Sequence, residues 1–236
     1  MKLVIDENIS RSFPELRIGI IIAKDIDNQG NNLELQEIKK DKAAEFRKKY
    51  SPTTLLENPY VAVWRNVYRS FGINPKDNKP TAEALLRRLL QGNEIPTISK
   101  VVDLYLIVET EFYLPIGGYD LNTIKGSINL RYSLGNESFI PLGSFNEEKT
   151  RPGEIVYADE ERILTRKWNF RDCDACKITQ ASSYIALFTE APLATISTEH
   201  LDNSLTKIKE YMTMFCGGEI STIIADIHQG LSWELM

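Results

Sequence analysis

The chain has 236 residues, 42% of them hydrophobic and 26% charged, with 13 Gly and 10 Pro. That is a globular composition at a length of one or two domains, which excludes a large multi-domain machine, a disordered tail and a fibrous protein. Lys and Arg number 28 against 33 Asp and Glu, a net charge of -5, so the chain is not a globally basic nucleic-acid binder and any RNA contact must rest on a local patch.

Residues 3–5 and 16–23 are short β-branched runs that read as strands, the second buried on both faces. Residues 25–32 form a polar loop. From 33 to 50 the first turn is acidic and the last is basic, the order the helix dipole favours, which predicts a surface helix. Asn58 and Pro59 supply a cap and a first-turn proline for a second helix, with Tyr60, Trp64, Val67, Tyr68 and Phe71 inward and Arg65, Asn66 and Arg69 outward, ending at Gly72. Thr81 is expected to cap a third, with Leu85, Leu86, Leu89 and Leu90 inward and Arg87 and Arg88 outward, closed by Gly92. The stripe of Val101, Leu104, Tyr105, Val108 and Phe112 predicts a helix over 99–112.

Beyond residue 120 the period falls to two, with strands expected near 127–132, 139–142, 155–158, 163–168 and 184–188. A cap near Thr198 opens a last helix with Leu201, Leu205, Ile208, Tyr211, Met212 and Phe215 on one side, and 221–225 reads as a final strand. No repeat or long linker divides the chain. The order predicts a single α+β domain over 1–236.

Cys173 and Cys176 have the spacing of half a zinc site or a redox pair, but no second paired ligand set accompanies them, so two loop cysteines are expected and no metal or cofactor. Three cysteines without disulfide spacing point to a reducing, cytoplasmic compartment. Asp6 and Glu7 interrupt any N-terminal apolar run, and no membrane partner is expected. His200 and His228 read as surface residues, and Gly117-Gly118 as a sharp helix-to-strand turn or a phosphate nest.

Charge is unevenly spread. Residues 64–91 carry six bases and two acids, and 162–177 five bases and two acids, whereas 180–236 carry two bases and seven acids. If the two basic segments meet, Trp64, Trp168 and Phe170 lie between phosphate-binding cations, the pattern for backbone contact plus base stacking. The plainer alternative is solvated helix faces.

The segments Tyr68-Arg69-Ser70-Phe71-Gly72-Ile73, 81–88, Val101-Val102-Asp103, Leu114-Pro115-Ile116-Gly117-Gly118-Tyr119-Asp120, 153–159 and Trp168-Asn169-Phe170-Arg171 resemble, in order and spacing, the tRNA-binding and editing domain of the phenylalanyl-tRNA synthetase beta subunit, across about residues 60–220. The resemblance implies an α+β layered fold in which a β-sandwich of unusual topology is flanked by helices. It also implies an aminoacyl-tRNA partner and, in an enzyme, hydrolysis of mischarged tRNA; DNA is not implied. Gly117 stands where the family's pocket His would sit, Tyr105-Leu106 replaces a polar Thr-Asn pair, and the family's Gly-Gly-Glu loop has no counterpart at 168–172.

Under this reading Asn169, Arg171 and Asp172 orient the ester and water as the catalytic set. Gly117, Gly118, Tyr119, Trp168 and Thr179 shape the substrate pocket, and Arg65, Arg69, Arg87, Arg88 and Lys177 contact tRNA phosphates. The competing expectation is a non-catalytic module that binds an amino-acid-like small molecule and has lost RNA. Ligase chemistry is excluded by the length and by the lack of class II synthetase motifs.

Overall fold

The structure, a computed structural model, describes residues 1–235. The N-terminal half runs β1 (Lys2–Ile5), α1 (Glu7–Ser12), β2 (Arg17–Lys24), α2 (Leu33–Lys49), α3 (Pro59–Ser70), α4 (Thr81–Leu90) and α5 (Lys100–Phe112). It continues with β3 (Ile116–Asp120), β4 (Ile128–Tyr132), β5 (Ser138–Phe139), β6 (Glu148–Lys149), β7 (Ile155–Ala158), β8 (Ile163–Arg166) and β9 (Arg171–Asp172). Last come β10 (Tyr184–Ala191), α6 (Thr198–Phe215), β11 (Glu219–Asp226) and β12 (Ser232–Glu234).

Helix starts follow local chemistry. The Asn58 side chain accepts from the amides of Tyr60 and Val61, and Ser99 from that of Val102, each satisfying donors that have no partner inside the helix. Two expected caps shift by one residue: Pro80 precedes α4 with Thr81 already helical, and Ser197 rather than Thr198 caps α6 by accepting from the His200 amide.

Two sheets form. One has the order β12-β1-β4-β7-β8-β9, with β1 and β4 parallel, and the other is β11-β2-β10-β3, antiparallel throughout. They face one another: Leu3, Ile5, Leu130 and Tyr157 of the first pack in one core with Ile18, Ile20, Ala186 and Phe188 of the second. On the outer face of the second sheet, Ile21, Ala23, Ile185 and Leu187 pack against α2, α5 and α6 through Phe46, Leu104, Val108, Leu205 and Met212. This explains why β2 reads as a continuous apolar run. Its odd and even residues enter different cores, and each fully buried Ile contributes roughly 1.5–3 kcal/mol. Gly19 lies on the helix side because a Cβ there would come 2.9 Å from Leu205, so its small size sets how closely α6 approaches.

The α+β architecture agrees with expectation, and several local assignments do not. Gly117 and Gly118 form no turn; both lie inside β3 with ordinary backbone angles. A Cβ on Gly118 would sit 2.4 Å from the Ala186 carbonyl oxygen, so close approach to β10 is what requires glycine. The strand expected to reach Trp168 ends at Arg166, and the one expected over 139–142 is the two-residue β5. Both α1 and β12 escape sequence reading because each is only a few residues long. Helix α2 is not purely a surface helix. Its Lys39 is buried and donates to Asp103 at 2.7 Å.

Candidate functional site

A cavity of about 310 Å³ opens where the edge strands β3 and β9 of the two sheets approach each other under α5. Three acids line it: Glu109 from α5, Asp172 from β9 and Glu190 from β10. The Thr165 hydroxyl donates to Asp172 Oδ1 at 2.5 Å and lies 2.6 Å from the Tyr119 hydroxyl. The Tyr157 hydroxyl donates to Glu190 Oε1 at 2.8 Å, and Tyr68 donates to Asn169 Oδ1 at 2.8 Å, which holds the Asn169 amide toward Glu190 Oε2 at 3.5 Å. Glu109 is fully buried and neither of its carboxylate oxygens has a partner in hydrogen-bonding geometry, the Ile116 amide being the donor near enough to act on it.

Among the described residues none of the three acids forms a salt bridge. Burial pushes Asp172 up to about 6, with Thr165 pulling the other way, and pushes Glu190 up to about 7 against the donors Tyr157 and Asn169. Glu109 is held well above the usual carboxylate range, first by burial and then by the charge of Asp172. The titratable groups around Asp172 are Tyr105 and Glu109 of α5, Tyr119 of β3, Glu190 of β10 and the adjoining cysteines. The one Arg among the lining residues, Arg171, is half-exposed at the rim, against the Phe170 ring and 3.6 Å from Glu148.

The turn between β8 and β9 presents this set. Lys167 and Trp168 take consecutive left-handed conformations, φ 50° and 67°, a strain of order 1 kcal/mol each. Burying Trp168 edge-on against Phe13 and Trp64 offsets it. With the indole pinned inward, Asn169 and Asp172 are left facing the cavity.

Of the expected pocket and catalytic residues, Asn169, Arg171, Asp172, Gly117, Tyr119 and Trp168 all line this cavity. Two do not. Gly118 is turned toward β10, and Thr179 belongs to a separate turn, where its hydroxyl meets Ser182 and its carbonyl accepts from Asn28. Sequence reading missed Glu109 and Glu190. The signal available was an acid on the buried side of a helix, four residues after Tyr105, and another inside the apolar run of β10.

The basic segments do meet, since the Thr81 amide donates to the Asn169 carbonyl and Lys167 to Asn78. The surface they form is thinner than the count of bases suggests. Arg65 is not on an outward face: it is buried and donates to both oxygens of the buried Glu83, which Arg87 also engages at 2.7 Å. Lys177 is tied to Asp174, leaving Arg69 and Arg88 exposed without a salt bridge among the described residues. Trp64 and Trp168 are fully buried against one another, so neither can stack on a base. His200 is no free surface residue, as it stacks on Tyr60 and bonds the Phe112 carbonyl. Cys173 and Cys176 are buried, their sulfurs 2.7 Å apart, and among the described residues no group of His, Cys, Asp and Glu is arranged to hold a metal ion. No described helix is long and apolar enough to cross a membrane.

Residues 63–212 match the B3/4 domain. The chain belongs to the B3/4 domain family. This bears out the resemblance to the phenylalanyl-tRNA synthetase beta subunit. An N-terminal fragment of that subunit from Pyrococcus horikoshii is similar at a TM-score of 0.48 and 11% identity, over 94% of this chain and 53% of that one. The chain therefore spans about half the length of that fragment. Comparison with curated proteins gives no match.

Within this B3/4 domain, most of the motif residues behind the resemblance build the scaffold. Asp103 accepts from the Ile98 amide and from Lys39, Asp120 accepts from Ser182, and Glu154 holds the buried Arg166. Asp159 gathers the amides of Lys125, Glu161 and Arg162. The stretches at 115–119 and 168–172 supply most of the motif residues that reach the cavity, joined by Thr81 and Tyr157 from two of the other segments.

Proposed function

We propose that this B3/4 domain binds aminoacyl-tRNA, with the aminoacyl group in the cavity, and hydrolyses the ester. The observation that carries the reading is the pairing of Gly117 with Asp172. At the position where the resemblance would place a His, a Cβ on Gly117 would lie 3.7 Å from Asp172 Oδ2, the oxygen that Thr165 leaves free. A carboxyl that titrates at about 6 takes the place of an imidazole. Ionised Asp172 removes a proton from a water as that water's oxygen bonds to the ester carbonyl carbon. The carbon–oxygen bond to the ribose then breaks, and the ribose oxygen takes the proton back. The Asn169 amide and the Arg171 guanidinium are the donors available to the developing oxyanion.

In a deacylation assay over a panel of mischarged tRNAs, at least one should be cleared above the buffer rate, and kcat/KM should rise with pH and level off above about 6. Asp172→Asn should lower it by about 100-fold or more. No deacylation and no tRNA retention at low salt would overturn the reading.

A second reading, a small-molecule binding module without RNA, is favoured by the capture of Arg65 and Arg87 by Glu83. It predicts a ligand-induced rise in melting temperature with little salt dependence, whereas RNA retention weakens steeply as salt is added.

A further inference from the structure

The cavity holds more carboxyl groups than an α-amino group can engage. Glu109, Asp172 and Glu190 converge on about 310 Å³, and no lysine, arginine or histidine forms a salt bridge to any of them among the described residues. An unpaired acid in apolar surroundings is costly, and the cost is largest for Glu109, whose two oxygens are fully buried and unpartnered. The rest of the wall near it is apolar and aromatic, from Tyr105, Leu106, Ile116 and Phe188, which suits a methylene chain. Depth separates the acids. Asp172 is partly exposed at the β9 end, whereas Glu109 on α5 and Glu190 on β10 are both buried.

Resting on the aminoacyl-ester reading above, we infer that the aminoacyl group accepted here carries a primary amine on its side chain, as lysine and ornithine do, with Glu109 receiving the side-chain ammonium and Asp172 lying closer to the ester and the α-ammonium. A neutral aliphatic side chain of the same length would leave Glu109 with no partner. A basic one gives it a charge-assisted hydrogen bond in surroundings of low polarity, where such bonds are strongest.

The test is isothermal titration of the whole chain with L-lysine methyl ester and with L-norleucine methyl ester, which share the α-ammonium, the ester and nearly the same stem. Lysine methyl ester should bind tighter by about tenfold or more, the discrimination expected when a buried polar group is left unpaired. Glu109→Gln should bring its affinity down to that of the norleucine ester. Equal affinities, or a preference for norleucine, would overturn the inference while leaving the aminoacyl-ester reading standing. Binding of neither ester would overturn both. If Glu109→Gln does not fold, the ratio measured on the unmodified chain decides.

Discussion

Glu83 and Asp172 are both acids at poorly exposed positions, yet their surroundings give them opposite roles. Glu83 is 1% exposed and shared by Arg65 and Arg87, so its charge is fully compensated inside the fold. Removing it with Glu83→Ala leaves the buried Arg65 guanidinium without a counter-charge and should cost about 3–5 kcal/mol, read as a drop in the denaturant midpoint. A loss below about 1 kcal/mol would mean that Arg65 escapes to solvent and is free for phosphate after all. Among the described residues Asp172 has the Thr165 hydroxyl as its side-chain hydrogen-bond donor and no cation paired to it. A buried acid left in that condition fits a group whose partner arrives with a ligand.

At the scale of single elements, β3 sets the width of the cavity through two adjacent glycines with different jobs. Gly118→Val would drive a side chain into the Ala186 carbonyl, already 2.4 Å from an added Cβ, and should destabilise the fold by about 1–3 kcal/mol while lifting β3 off β10. Gly117→Ala meets only Asp172 Oδ2 at 3.7 Å, an ordinary contact, so the melting temperature should stay within about 2 °C. Its added methyl points at the proposed water position, however, and deacylation should fall. Equal destabilisation by both changes would contradict the register in which Gly118 faces Leu187. The sequence marked this pair as special but for the wrong reason. Consecutive glycines usually signal a turn, and nothing local distinguishes a turn from a strand pressed against its neighbour.

For the whole molecule, the cavity acids make stability depend on pH in a defined direction. Asp172 and Glu190 are raised from 3.8 and 4.5 to about 6 and about 7, so the folded state holds their protons more tightly than the unfolded chain does. Below about pH 4 both states are protonated and nothing is lost; between about 4 and 7 the unfolded chain releases protons first and stability falls, by roughly 1–3 kcal/mol per group, and then levels. The difference in unfolding free energy between the unmodified chain and an Asp172→Asn, Glu190→Gln double variant, measured from pH 4 to 8, should show this fall. A flat difference would place both carboxyls in contact with bulk water.

RNA contact is also a property of the whole surface. Arg69→Ala with Arg88→Ala should leave the melting temperature within about 2 °C and lower the slope of log K against log salt by about 1–2, in the proportion of phosphates lost. An unchanged slope would favour the small-molecule reading.

Several features were legible without the fold because they depend on neighbours in the chain. The cap at Asn58, the apolar stripe of α5 and the doubly buried run of β2 are local patterns, and the structure has them. The order of motifs was enough to point to a domain of the phenylalanyl-tRNA synthetase beta subunit, which the B3/4 domain match bears out. The site was half legible: the stretches at 115–119 and 168–172 converge, as the resemblance implied. Glu109 and Glu190 join them only because α5 and β10 bring residues about 60 to 80 positions apart onto one wall, and no spacing rule covers that distance. Arginine faces went the other way. Helical periodicity placed Arg65 outward, and the buried Glu83, eighteen residues away, drew it inward. By itself the sequence determined the longer elements, the family and the net charge, since these follow from local pattern and composition. Only the tertiary structure decided which charges are spent inside the fold and which acids stand unpaired in the cavity, because burial and pairing are set by chain segments that meet late.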